Sequence, residues 1–150
     1  MGNKAHIKID EEKQLLLKEL FTRLPYHVKV KVWLEDGDTE EGPLDLQHNY
    51  GDVLLDAFYY KKITKIKPYL RPMSSMTEEE RLELSRLTND KFKFYLYTKQ
   101  SEIICYEKYN YLEGLKVLDW LNTHHFDYRG LIEKGLALEA PKGMYETKTE

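Results

Sequence analysis

Residues 65–81, KIKPYLRPMSSMTEEER, constrain this chain more than any other stretch, because a basic segment punctuated by two prolines runs straight into a helix start. Pro68 and Pro72 have no backbone donor and bias Lys67 and Arg71 away from helical dihedrals, so the segment is extended through Arg71. Helix signals follow at once. Ser75 and Thr77 each suit an N-cap with a glutamate three residues on, and Glu78, Glu79 and Glu80 crowd the positive end of the dipole. The sequence leaves both caps open.

Upstream of this junction the pattern is one helix followed by short strands. Asp10, Glu11 and Glu12 mark a helix start, and Leu17, Leu20, Phe21 and Leu24 form its apolar stripe at i, i+3, i+4 and i+7 before Pro25 ends it. Val28, Val30, Val32 and Leu34 alternate with Lys29, Lys31 and Trp33, the period of a strand with one buried face. Asp36-Gly37 is the hairpin dipeptide that follows. A second strand is expected over residues 39–47, where Gly42 and Pro43 indicate a bulge or an edge. A turn at 49–52, an apolar segment at 53–60 and a short strand through Ile63 and Ile66, ending before Pro68, complete this half.

Downstream, the spacing predicts a helix over 77–87 with Leu82, Leu84 and Leu87 inward and Glu79, Glu83 and Arg86 in water. A hairpin is expected from residues 91–97 and 102–106, then a helix over about 110–122 on Tyr111, Leu112, Leu115, Leu118, Trp120 and Leu121. Asp127 as N-cap, Phe126 and Leu131 as a hydrophobic staple and Gly135 as a left-handed C-cap predict a short helix over 126–135. A brief strand or extended tail at 136–139 follows, with fraying expected beyond Gly143.

The expected class is α+β: an N-terminal helix, a small SH3-like β-barrel or curled antiparallel meander, then helices with a β-hairpin. A chain of 150 residues reads as one domain, with a β-rich part at about 25–71 and a helical and hairpin part at about 73–143. One cysteine excludes an internal disulfide and any multi-cysteine zinc motif. The N-terminus lacks an apolar leader core and no run approaches a membrane span, so the chain reads as soluble, cytoplasmic and without a membrane partner.

Three blocks, LPYHVKV at 24–30, KPYLRPMSSMTEEE at 67–80 and DWLNTHHFDYRGLIEKGLALEAPKGMY at 119–145, resemble a family of small uncharacterised proteins common in phages and integrated mobile elements of gut Bacteroidales. They cover about a third of the chain. The resemblance implies a phage or mobile-element setting and brings no activity or catalytic residues with it. His27 stands where the family carries glycine, which argues against a tight left-handed turn there.

Chemistry-bearing motifs are few. His124, His125 and Asp127 form the one cluster with metal-ligand character, but neighbouring histidines on a helix end point about 100° apart and the spacing fits no zinc pattern. The alternative is that the histidines cap or pack at a helix C-terminus. Cys105 has no base near it in sequence and reads as a packed strand residue. With no phosphate loop and no nucleophile elbow, the chain reads as non-enzymatic, with no catalytic residues, resident metal or cofactor assigned.

A net charge of -3 argues against a general nucleic-acid-coating role, yet residues 35–41 carry five acids and no base while residues 61–71 carry five bases and no acid. The basic run Tyr59, Tyr60, Lys61, Lys62, Lys65, Lys67, Tyr69 and Arg71 combines phosphate-neutralising lysines with stacking rings. It is the expected partner surface, for a nucleic acid or a host or phage protein; a strand that keeps its lysines outside for solubility has the same pattern. Two further readings are a metal-dependent enzyme on His124, His125 and Asp127, and an inhibitor of a host factor using the acidic 35–41 loop.

Overall fold

The alternation in VKVKVWL is a strand, β1 (Lys29–Leu34), and it organises a four-stranded sheet of order β2-β1-β3-β4 with β2 (Thr39–Pro43), β3 (Ile63–Leu70) and β4 (Leu138–Glu139). Among the described residues three helices accompany it: α1 (Gly2–Arg23), α2 (Glu78–Leu87) and α3 (Tyr111–Thr123). The computed structural model describes residues 2–44, 63–87 and 111–145, without the side chains of 2–10 and 111–113. Expectations for residues 45–62, 88–110 and 146–150, Cys105 and the 91–106 hairpin among them, lie outside the described residues.

The class is α+β, but the sheet is open among the described residues and does not close into an SH3-like barrel. The chain divides into two compact units, residues 1–69 with 133–138 and residues 70–132 with 139–150.

In the first unit β1 pairs antiparallel with β2 and with β3. The β1–β2 turn closes as the dipeptide predicts: Gly37 N–H donates to Leu34 O at 3.0 Å, Asp38 N–H donates to Asp36 Oδ1 at 3.0 Å, and Gly37 takes φ +88°, which a Cβ would strain. Pro43 ends β2 on the sheet edge, where its missing donor costs nothing.

Val28, Val30 and Val32 are fully buried and Leu34 nearly so. On β3 the register shifts between Trp33 and Leu34, so that Lys65 faces Trp33 but Ile63 faces Leu34. Thr64 is the extra residue, with its hydroxyl donating to Trp33 O at 3.1 Å. This bulge puts Ile63 and Ile66, three apart, on the same face. The strand also runs on through Pro68, opposite Val30, rather than stopping before it.

Helix α1 begins at Gly2, not at Asp10, because no proline or glycine interrupts residues 3–24. Its buried stripe differs from the expected one as well. Glu19 and Arg23 are fully buried and ion-paired at 2.7 Å, whereas Leu17 and Phe21 are 55% and 66% exposed. The inward positions are Leu16, Glu19, Leu20 and Arg23, one residue round the helix from the all-apolar choice. A short 3-10 turn, Leu24–Tyr26, follows and ends on His27 at φ 55°, ψ 42°, so the left-handed conformation is adopted there without glycine.

The second unit settles the cap of α2. Thr77 N–H donates to Glu80 Oε1 (3.1 Å) and Glu80 N–H donates to Thr77 Oγ1 (3.2 Å), a reciprocal capping box, while Ser75 ends the 3-10 turn Met73–Ser75. The core joins Met76, Leu84, Val117, Trp120, Leu121, Phe126 and Tyr128, with Met73 and Leu118 packed against it. Leu82, Leu87 and Leu115, expected inside, are exposed; the inward stripe of α3 is Gly114, Val117, Leu118 and Leu121.

Helix α3 ends in a left-handed cap: Phe126 N–H donates to Leu121 O, His125 N–H to Asn122 O, and His125 holds φ 61°. Phe126 and Leu121, both fully buried, supply the apolar contact that accompanies this cap. The expected helix over 126–135 is instead a run of turns. Gly130 and Gly135 both take φ +71°, and the Asp127 carboxylate accepts from Leu131 and Ile132 N–H, four and five residues on, rather than from a first helical turn. Met144 and Tyr145, placed beyond the expected fraying point, are tied down: Met144 N–H donates to Pro141 O, and the Tyr145 ring stacks on His125 at 3.7 Å.

Candidate nucleic-acid interface

The pairing of β1 with its two neighbours sorts their side chains onto two faces. Opposite the valine face stand Lys29, Lys31 and Trp33 of β1, Lys65, Lys67 and Tyr69 of β3, and Thr39, Glu41 and Pro43 of β2. Lys31 faces Lys67, and Trp33 faces Lys65. Four lysines thus share a face with one indole, and two of them, Lys31 and Lys65, lie beside it.

Trp33 stands at the turn end of this face. Lys65 Nζ lies 4.4 Å from its ring centroid and Lys31 Nζ lies 5.5 Å away, both within cation–π range. Such contacts at half-exposed sites contribute about 0.5–1 kcal/mol, weak enough for an incoming base or phosphate to displace either ammonium. Lys67 holds its proton less firmly than an ordinary lysine, through burial first and the charge of Lys65 second. An anion seated between Lys65 and Lys67 relieves that repulsion.

Tyr69 is nearly buried and reaches across β1 to donate its hydroxyl to Glu41 Oε1 at 2.7 Å. Burial, then the hydrogen bond to Glu41 and its charge, push the phenol up to about 12. Glu41 also lies 3.4 Å from Lys31 Nζ, so one carboxylate serves both groups.

The basic run expected from the sequence is therefore divided. Tyr59, Tyr60, Lys61 and Lys62 lie outside the described residues, while Lys65, Lys67 and Tyr69 share the sheet face. Arg71 belongs to the second unit, where its guanidinium is committed. Nη1 and Nη2 each donate to Glu80 at 2.8 Å, and the guanidinium lies 4.2 Å over the Phe126 ring. Its backbone also brackets the α3 cap, receiving from Asp127 N–H and donating to His125 O. Lys29, Lys31 and Trp33 are the members that strand reasoning missed; the signal was their shared parity on β1, which needed the β1–β3 register to become a site.

His124, His125 and Asp127 are drawn into local structure. His124 stacks on Trp120 at 4.0 Å with Nδ1 2.8 Å from Trp120 O, His125 stacks on Tyr145, and both Asp127 oxygens accept backbone N–H groups. Among the described residues no three His, Cys, Asp or Glu side chains are grouped to hold a metal. The acidic Glu35, Asp36 and Asp38 lie exposed at the β1–β2 turn.

Comparison with protein families, curated proteins and solved structures yields no match, so the chemistry of the face carries the functional reading.

Proposed function

We propose that this chain is a non-enzymatic binding protein of a phage or mobile element that holds single-stranded nucleic acid across the outer face of β1 and β3. The observation that carries the reading is Trp33 flanked by Lys31 and Lys65, with Lys29 and Lys67 on the same face. An aromatic ring on a sheet supplies a stacking surface that accepts any base, and the lysines of β1 and β3 beside it neutralise the backbone. A flat sheet face suits a splayed single strand, whereas a duplex keeps its bases inside and offers nothing for Trp33 to stack on.

With a net charge of -3 the chain as a whole does not attract a polyanion, so binding through the lysines of this face is strongly salt-dependent. The acidic turn at residues 35–38 bounds the face at the Trp33 end and directs the phosphates toward Lys29 and Lys67. No described helix is long and apolar enough to cross a membrane. Fluorescence anisotropy of labelled oligo-dT over a range of salt, with charge reversal at Lys65 and Lys67, tests the reading. An acidic protein partner is the outcome indicated if the lysines matter in a pull-down but oligo-dT does not bind.

A further inference from the structure

Glu41 sits on the face just described, although its charge opposes the proposed ligand. It is exposed, one strand over from Lys31, and its Oε1 receives the Tyr69 hydroxyl at 2.7 Å and Lys31 Nζ at 3.4 Å. A carboxylate held by an ammonium and a phenol O–H occupies a site with the donors that a phosphate oxygen needs. Glu40, its neighbour, pairs with Val32 on the opposite face and makes no such arrangement.

We infer that Glu41 is a built-in competitor for the anion site between Lys31 and Tyr69: it fills that site in the free protein and must be displaced when a phosphate of the bound strand takes its place. The inference rests on the proposed nucleic-acid reading and adds a determinant of affinity to it. Displacement is feasible because a lysine–carboxylate pair this open to solvent is held only weakly. The Tyr69 hydroxyl stays protonated, and so remains a donor, throughout the physiological range, since its pKa lies at about 12. The functional consequence is restraint: the protein binds single strands less tightly than its four lysines allow, and discriminates against ligands too weakly charged to displace Glu41.

The test is anisotropy of labelled oligo-dT with wild type, Glu41→Gln and Glu40→Gln at 50–300 mM salt. Each variant changes net charge equally, so their difference isolates the site. Freeing Lys31 for one phosphate adds about 0.7 to the magnitude of the salt slope, and Glu41→Gln is expected to bind about five- to tenfold more tightly at 50 mM salt, with the gain shrinking as salt rises. Glu40→Gln is expected to keep the wild-type slope. Equal gains in both variants, or no gain in Glu41→Gln while wild type binds, overturn the competitor role and leave the nucleic-acid reading standing. Absence of binding by wild type and Glu41→Gln alike overturns both.

Discussion

Arg71 and Glu80 meet through two parallel hydrogen bonds of 2.8 Å, and the same glutamate closes the capping box of α2 with Thr77. One carboxylate therefore fixes the helix start and anchors the end of the proline-punctuated segment. Burial alone raises the Glu80 pKa, but Arg71 and the Thr77 donors outweigh it and bring the carboxyl below its ordinary value of 4.5. A folded-state pKa below the unfolded one gives stability that is present above the unfolded value and lost as pH falls through the folded one. Glu80→Gln should cost about 1.5–3 kcal/mol at pH 7. Urea unfolding of both proteins from pH 7 to 3 should show the gap closing below about pH 4.5.

The buried Glu19–Arg23 pair of α1 makes a second stability prediction. Removing one partner takes the ion pair from a buried charge, so Arg23→Met alone should cost about 3–5 kcal/mol, whereas replacing both residues with apolar side chains of similar volume should recover most of the loss. Denaturant midpoints of wild type, Arg23→Met and the double variant check this.

His125 holds the left-handed position of the α3 cap, and its side chain stacks on Tyr145. A β-branched residue there meets both backbone strain and the loss of the stack. His125→Val should therefore destabilise by about 2 kcal/mol or more, while His125→Gly keeps the cap and loses less. Thermal unfolding should rank them wild type, Gly, Val.

Tyr69 should stand apart in a spectrophotometric alkaline titration. Its phenol ionises at about 12 while exposed tyrosines ionise near 10, and Glu41→Gln should bring it down by removing the carboxylate that helps hold it up. An unchanged tyrosine titration in that variant would argue against the Tyr69–Glu41 contact.

Local signals in the sequence were legible where one residue decides the geometry: Asp36-Gly37 for the turn, Thr77 with Glu80 for a cap, Pro25 for the end of α1. Valine alternation likewise gave β1 and its buried face. What stayed hidden depends on partners distant in the chain. The bulge at Thr64 aligns Ile63 with Ile66 only once β1 is beside β3, and that register brings Lys65 over Trp33. Burial of Glu19 and Arg23 inverts the polarity pattern because the two charges pair one helical turn apart. Arg71 had the composition of a ligand-binding residue, but its fork matches a carboxylate of the same unit.

Binding of single-stranded nucleic acid by the lysine-flanked Trp33 face is tested by the salt dependence of oligo-dT affinity in wild type, Trp33→Ala and the charge-reversed Lys65→Glu/Lys67→Glu protein. A linear fall of log K with log salt at a slope of about 0.7 per neutralised phosphate is expected. Charge reversal should flatten the slope and weaken binding, and Trp33→Ala should lose about 1–3 kcal/mol at unchanged slope. Affinity that is indifferent to salt, or undiminished by reversing both lysines, would rule out binding through this face.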